Sequence, residues 1–181
     1  HISRGPCKWS VMGLSRRIAA LAVLLALSGA AALATAIDPT LDCLSEDNER
    51  RISGCSAMIE TPGLPPEQLS LAYGLRALGY SLKGWFEKAL TDYDKAIDLN
   101  PDFAAALNNR AWAYFKLGRL EDAVRELERA AALIADPVIF DHLGDAYATQ
   151  QRQDDAQKAW QRSLKLDAEQ PRVRQKLEHV S

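Results

Sequence analysis

The residues able to do chemistry are few, and their spacing decides what they can do. His142 stands beside Asp141 and shortly before Asp145, but no third group completes a proton relay. Asp92 and Asp94 lie two apart on a helical pattern, so their carboxylates point in different directions. Asp154 and Asp155 open a helical segment, where the helix dipole favours negative charge without any catalytic role. No serine or cysteine sits in a nucleophile elbow, and no glycine-rich phosphate loop exists. The histidines His1, His142 and His179 are scattered, and no C-x2-C zinc spacing occurs. Catalysis, a metal and a cofactor are therefore not expected. The remaining chemistry is a cysteine pair, Cys43 and Cys55, expected to form a structural disulfide.

Residues 1–36 are set apart from the folded part. Met12 is followed by Arg16-Arg17, the apolar run Ile18–Leu27 and an Ala34-Thr35-Ala36 cleavage pattern. This is the layout of a bacterial secretory signal peptide over 12–36, with residues 1–11 upstream of its start. The alternative is an uncleaved anchor in the inner membrane facing the periplasm, since Ile18–Ile37 is just long enough to span. No cysteine at the end of the run supports lipid attachment. The whole chain of 181 residues carries a net charge of −2. Residues 1–36 hold Arg4, Lys8, Arg16 and Arg17 and no acid, so without them the net charge falls to −6. A mildly acidic surface with no basic stripe argues against nucleic acid as a partner.

The elements that position these residues repeat along the chain. Tyr80, Tyr114 and Tyr147 recur at a nearly constant step, and five further columns keep it. Small residues recur at Ala77, Ala111 and Gly144, at Ala89, Ala123 and Ala156, and at Ala96, Ala130 and Ser163. Large apolar residues recur at Tyr73, Leu107 and Phe140, and at Leu99, Leu133 and Leu166. Tyr73, Ala77 and Tyr80 fall on one face of a first helix, which Gly84 stops, as Gly118 does one unit later. Ala89, Tyr93, Ala96 and Leu99 are expected to form the inward face of a second helix, ended by Pro101. Small columns let two helices approach closely, and the aromatic columns fill the remaining space. Arg76 precedes Asp92 by the same interval that separates Arg110 from Glu126, whereas the third unit has Leu143 and Ala159 in those columns. An arginine–carboxylate pair is expected to join the two helices in units one and two.

The pattern resembles the tetratricopeptide repeat (TPR), most closely in Phe140, Leu143-Gly144, Tyr147, Ala156 and Trp160. The resemblance spans about 66–170, as three units at about 70–103, 104–136 and 137–169. It departs at Arg76 and Arg110, where leucine is usual. It implies an all-α superhelix whose first helices line a concave groove. Residues 37–65 are expected to form a half repeat with the cysteine pair and a linker, Thr61–Pro66, too proline-rich for helix. Residues 171–181 are expected to form a capping helix with the apolar stripe Val173, Leu177 and Val180.

The groove columns so implied are Gly74, Leu78 and Ser81, then Asn108, Trp112 and Phe115, then Asp141, Asp145 and Ala148, with Asn109 and His142 beside them. Trp112 and Phe115 lie off the packing columns and suit a partner contact, unless neighbouring helices cover Trp112. Asp141 and Asp145 suit a basic partner, unless they are simply a solvated helix face. Some TPR proteins hold a carboxylate with basic groove residues, but Gly74, Val138 and His142 occupy those positions here and only Asn109 matches. The expected function is protein–protein interaction, with an apolar or basic polypeptide segment bound in the groove and no small-molecule substrate. The competing classes are a self-associating scaffold of the cell envelope and an accessory domain of a split enzyme or transporter.

Overall fold

The computed structural model describes residues 38–179, all-helical with no strand among them. The signal-peptide and anchor readings, residues 1–11 and Val180 lie outside the described residues. Among the described residues no helix is long and apolar enough to cross a membrane.

Helix α1 (Pro39–Cys43) starts at a proline in the first helical position, after Asp38 accepts a bond from the Thr40 amide. Helix α2 (Asn48–Ile59) is capped by Asp47, which accepts from the Arg50 amide. A disulfide joins Cys43 to Cys55 and draws α1 onto α2. The two helices meet so closely at Gly54 that a β-carbon there would collide with the Cys43 amide nitrogen.

Three helix pairs follow: α3 (Pro66–Leu82) with α4 (Phe86–Leu99), α5 (Ala104–Lys116) with α6 (Leu120–Leu133), and α7 (Pro137–Thr149) with α8 (Gln153–Leu166). Pro66 does not end the linker but opens α3, because the first helical position needs no amide hydrogen. Gly84 and Gly118 take φ of 78° and 75° just past α3 and α5, and the third unit places Gln151 there at 62°. The core runs through the pairs along the small columns, with Ala77, Ala89, Tyr93, Ala96, Ala111, Ala123 and Ala130 all buried. Leu99 corrects the expected inward face, since it is more than a third exposed, as are Leu133 and Leu166 in the same column. Each is the last residue of its helix.

Arg76 pairs with Asp92 through Nε and Nη2 at 2.6 and 2.9 Å, and Arg110 with Glu126 at 3.0 and 2.7 Å, joining first helix to second as expected. Arg110 also reaches Asp94 of the preceding unit at 2.7 Å. Helix α9 (Pro171–Glu178) closes the described part, with Val173 buried against Ala156 and Trp160.

Candidate functional site

The residues expected to meet a partner all lie on the first helices, yet the structure puts them to different uses. In the first unit Leu78 is only 4 % exposed, so it offers nothing to a partner; Gly74 and Ser81 are buried as well. A β-carbon on Gly74 would meet the Phe103 ring at 2.9 Å, and Ser81 Oγ lies 3.5 Å from the Tyr93 hydroxyl. This corrects the expectation for Leu78: its spacing marks the right helix, but the chain's own side chains fill that part of the face.

In the second and third units the polar residues connect one unit to the next. Asn108 is 7 % exposed, and its Oδ1 lies 2.9 Å from His142 Nδ1, a bond that requires the Nδ1–H tautomer. Its Nδ2 reaches Asn109 Oδ1 at 3.5 Å, a long contact beside the half-buried Asn109. Burial pushes the His142 imidazole down to about 3, helped by the charges of Lys176 and Arg172. His142 is thus held neutral at ordinary pH.

Asp141 and Asp145 correct a second expectation. Lys176 of α9 places Nζ 2.5 Å from Asp141 and 2.6 Å from Asp145. The Trp160 indole donates to Asp145 at 3.1 Å, and Lys176 lies 5.7 Å from the Trp160 ring centre. Burial raises the Asp145 carboxyl above its ordinary range, against the pull of Lys176. With α9 in place the two carboxylates are neither a simple solvated face nor open to a basic partner, because a cation of the same chain holds them.

What stays accessible is aromatic. Phe115 is 37 % exposed, and Trp112 is half-buried with its ring edge-on to Phe86, centroids 5.5 Å apart at 84°. Leu82, the last residue of α3, is 43 % exposed, and Lys116 follows Phe115 on the surface. A neighbour thus covers part of Trp112, namely Phe86 at the start of α4. Phe86 was not foreseen as a site residue, although the other units carry Leu120 and Gln153 in its column and an aromatic there is a visible departure. Lys176 and Trp160 were missed too; a charge opposite to Asp141, about one repeat further along, was the available signal. Among the described residues no group of three or more His, Cys, Asp or Glu is placed to hold a metal.

The architecture has known counterparts. Residues 80–118 match a family model described as TPR repeat, and residues 104–136 one described as Tetratricopeptide repeat. The chain is 32 % identical over 111 residues to human Tetratricopeptide repeat protein 13, covering 59 % of this chain and 13 % of that protein. It is 31 % identical over 99 residues to TPR repeat-containing protein MJ0940 of Methanocaldococcus jannaschii, covering 55 % and 31 %. The chain thus spans less than a third of each of these relatives. Among solved structures, the first TPR of Spaghetti (RPAP3) bound to the HSP90 peptide SRMEEVD aligns with a TM-score of 0.61 at 25 % identity, over 63 % of this chain and 91 % of that one. MamA from Desulfovibrio magneticus RS-1 aligns with a TM-score of 0.68 at 20 % identity, over 78 % of both chains, a likeness of fold alone. Residues 80–136 thus match tetratricopeptide-repeat models, and the helix pairs on either side have the fold of such repeats.

Proposed function

We propose that the protein is an exported interaction module that holds an apolar segment of a partner polypeptide against Phe86, Trp112 and Phe115. The observation that carries this is the aromatic area of Trp112 and the exposed Phe115, three residues apart on α5, with Phe86 at the start of α4 edge-on to Trp112, beside first-helix positions that are occupied within the chain. Aromatic anchors in a partly desolvated patch concentrate binding energy in few residues. A polypeptide ligand is supported by the similar RPAP3 domain, whose structure holds an HSP90 peptide. Capture of a terminal carboxylate is disfavoured here, since Gly74, Val138 and His142 stand where cations would be required. Export to a bacterial periplasm is supported by the 12–36 pattern and by the Cys43–Cys55 disulfide, a bond that persists in oxidising compartments.

The test is crosslinking and capture from the native cell envelope with wild type and with Trp112→Ala plus Phe115→Ala. The proposal expects specific polypeptides to be lost with the double variant while its helical circular dichroism and melting persist. Capture unchanged by the double variant would remove the patch from consideration. Capture of further copies alone would assign the patch to a self-associating scaffold instead.

A further inference from the structure

The C-terminal end of the first-helix face is already occupied by a helix, and the way it is held tells what else would fit. Pro171 opens α9 one repeat length after Pro137 opens α7, so α9 takes the register of a further first helix. At eight residues it is too short to be helical on its own in water. Its seat depends on three inward side chains. Val173 is buried in an apolar socket with Ala156 and Trp160, Leu177 packs at its margin, and Lys176 spans Asp141 and Asp145. The Trp160 indole fixes Asp145 from the other side, so the second carboxylate is oriented by a group outside α9. The lysine stem and ammonium therefore meet two acids and an aromatic face, an arrangement suited to a primary ammonium on an aliphatic chain. Arg172, Arg174, Gln175 and Glu178 of the same helix are exposed.

We propose that this seat is a docking site for an amphipathic helix with the pattern apolar-x-x-Lys-apolar, filled in cis by Val173, Lys176 and Leu177 of α9. A partner helix of that chemistry displaces α9 and gains the acidic end of the face that α9 otherwise covers. This rests on the reading that the first-helix face binds polypeptide, and it adds a second contact to the aromatic patch. Partly exposed ion pairs and two helical turns make an exchangeable seat, drawn from the low-stability end of the molecule. While α9 is seated, only the open fraction is competent, and outside affinity is lowered by that fraction.

The probe is a fluorescent synthetic peptide of residues 168–181, titrated into the full chain and followed by anisotropy. Lys176→Met in the chain, which loosens α9, is expected to tighten peptide binding at least about tenfold over wild type. Val173→Ala, which loosens α9 without changing its charge, is expected to act in the same direction. Adding Asp141→Asn and Asp145→Asn to Lys176→Met should abolish the gain, as should a peptide with Met at the lysine position. Equal binding, or none, by wild type, Lys176→Met and Val173→Ala overturns the proposal, as does a gain that survives the two asparagines. Circular dichroism and melting of each variant separate these outcomes from unfolding. A mass that doubles with concentration and falls on adding peptide would assign the seat to the α9 of a second copy and overturn the partner reading. Trp112→Ala plus Phe115→Ala leaves the seat intact, so peptide uptake reports on α9 while envelope capture reports on the aromatic patch.

Discussion

His142 shows how little residue type says about role without its surroundings. Beside two aspartates it has the composition of a proton-transfer group, yet it is a half-buried neutral imidazole against Asn108. Its folded pKa of about 3 lies below the unfolded value near 6.5. Between those values the unfolded chain binds the extra proton, so stability is full above about pH 6.5 and falls as pH drops towards 3. The slope this one group adds approaches about 1.4 kcal/mol per pH unit within the window. Denaturant melts from about pH 7 to pH 4 should therefore show a shallower decline for His142→Gln than for wild type; parallel curves would refute the neutral state. Gln151 is the other telling residue, because it holds a left-handed backbone where the first two units have glycine. An L-residue there costs roughly 1–2 kcal/mol, so Gln151→Gly should raise the melting temperature. A lowered value would mean that the glutamine side chain makes up for its backbone.

At the scale of elements, the helix pairs were legible because six columns keep the same step, and the paired arginines were legible because charge at one column accompanies opposite charge at the other. Gly144 fits the same logic: a β-carbon there would collide with the Trp160 ring, so the unit with the bulkiest second-helix residue has the smallest partner. Contacts between units were not legible. Asn108–His142 and Asp141–Lys176 link residues about one repeat apart, and nothing in a single unit's amphipathic pattern shows which polar residue will face the next unit. The capping helix was read through its apolar stripe alone, which left Lys176 out and the two aspartates open. The leucines ending α4, α6 and α8 misled for a simpler reason, since helical periodicity continues to the last residue while burial does not. The N-terminal element gives the sharpest prediction. Helix α1 is little more than one turn and is tied to α2 by a disulfide closing a short loop. Cys43→Ser plus Cys55→Ser should cost about 3 kcal/mol in chemical denaturation. Amides of α1 and α2 should then lose hydrogen-exchange protection before those of α5 and α6. Unchanged stability would show that the packing at Gly54 holds α1 alone.

At the scale of the molecule, the stack is closed at both described ends, by α1 through a covalent bond and by α9 through Val173 and Lys176. Between them the polar positions of the first-helix face are bonded within the chain while α9 is seated, and the aromatic patch of units one and two is the part we assign to an outside chain. That division, scaffold contacts at the polar positions and partner contacts at the aromatic ones, is the central claim. The most direct measurement places a photo-crosslinking amino acid at Phe115 in the full chain in its native envelope, with the exposed Arg129 as control site. The account predicts a defined crosslink to another polypeptide from position 115, absent from position 129 and abolished by Trp112→Ala. Equal crosslinking from both positions, or none from 115 beyond copies of the same chain, would contradict it.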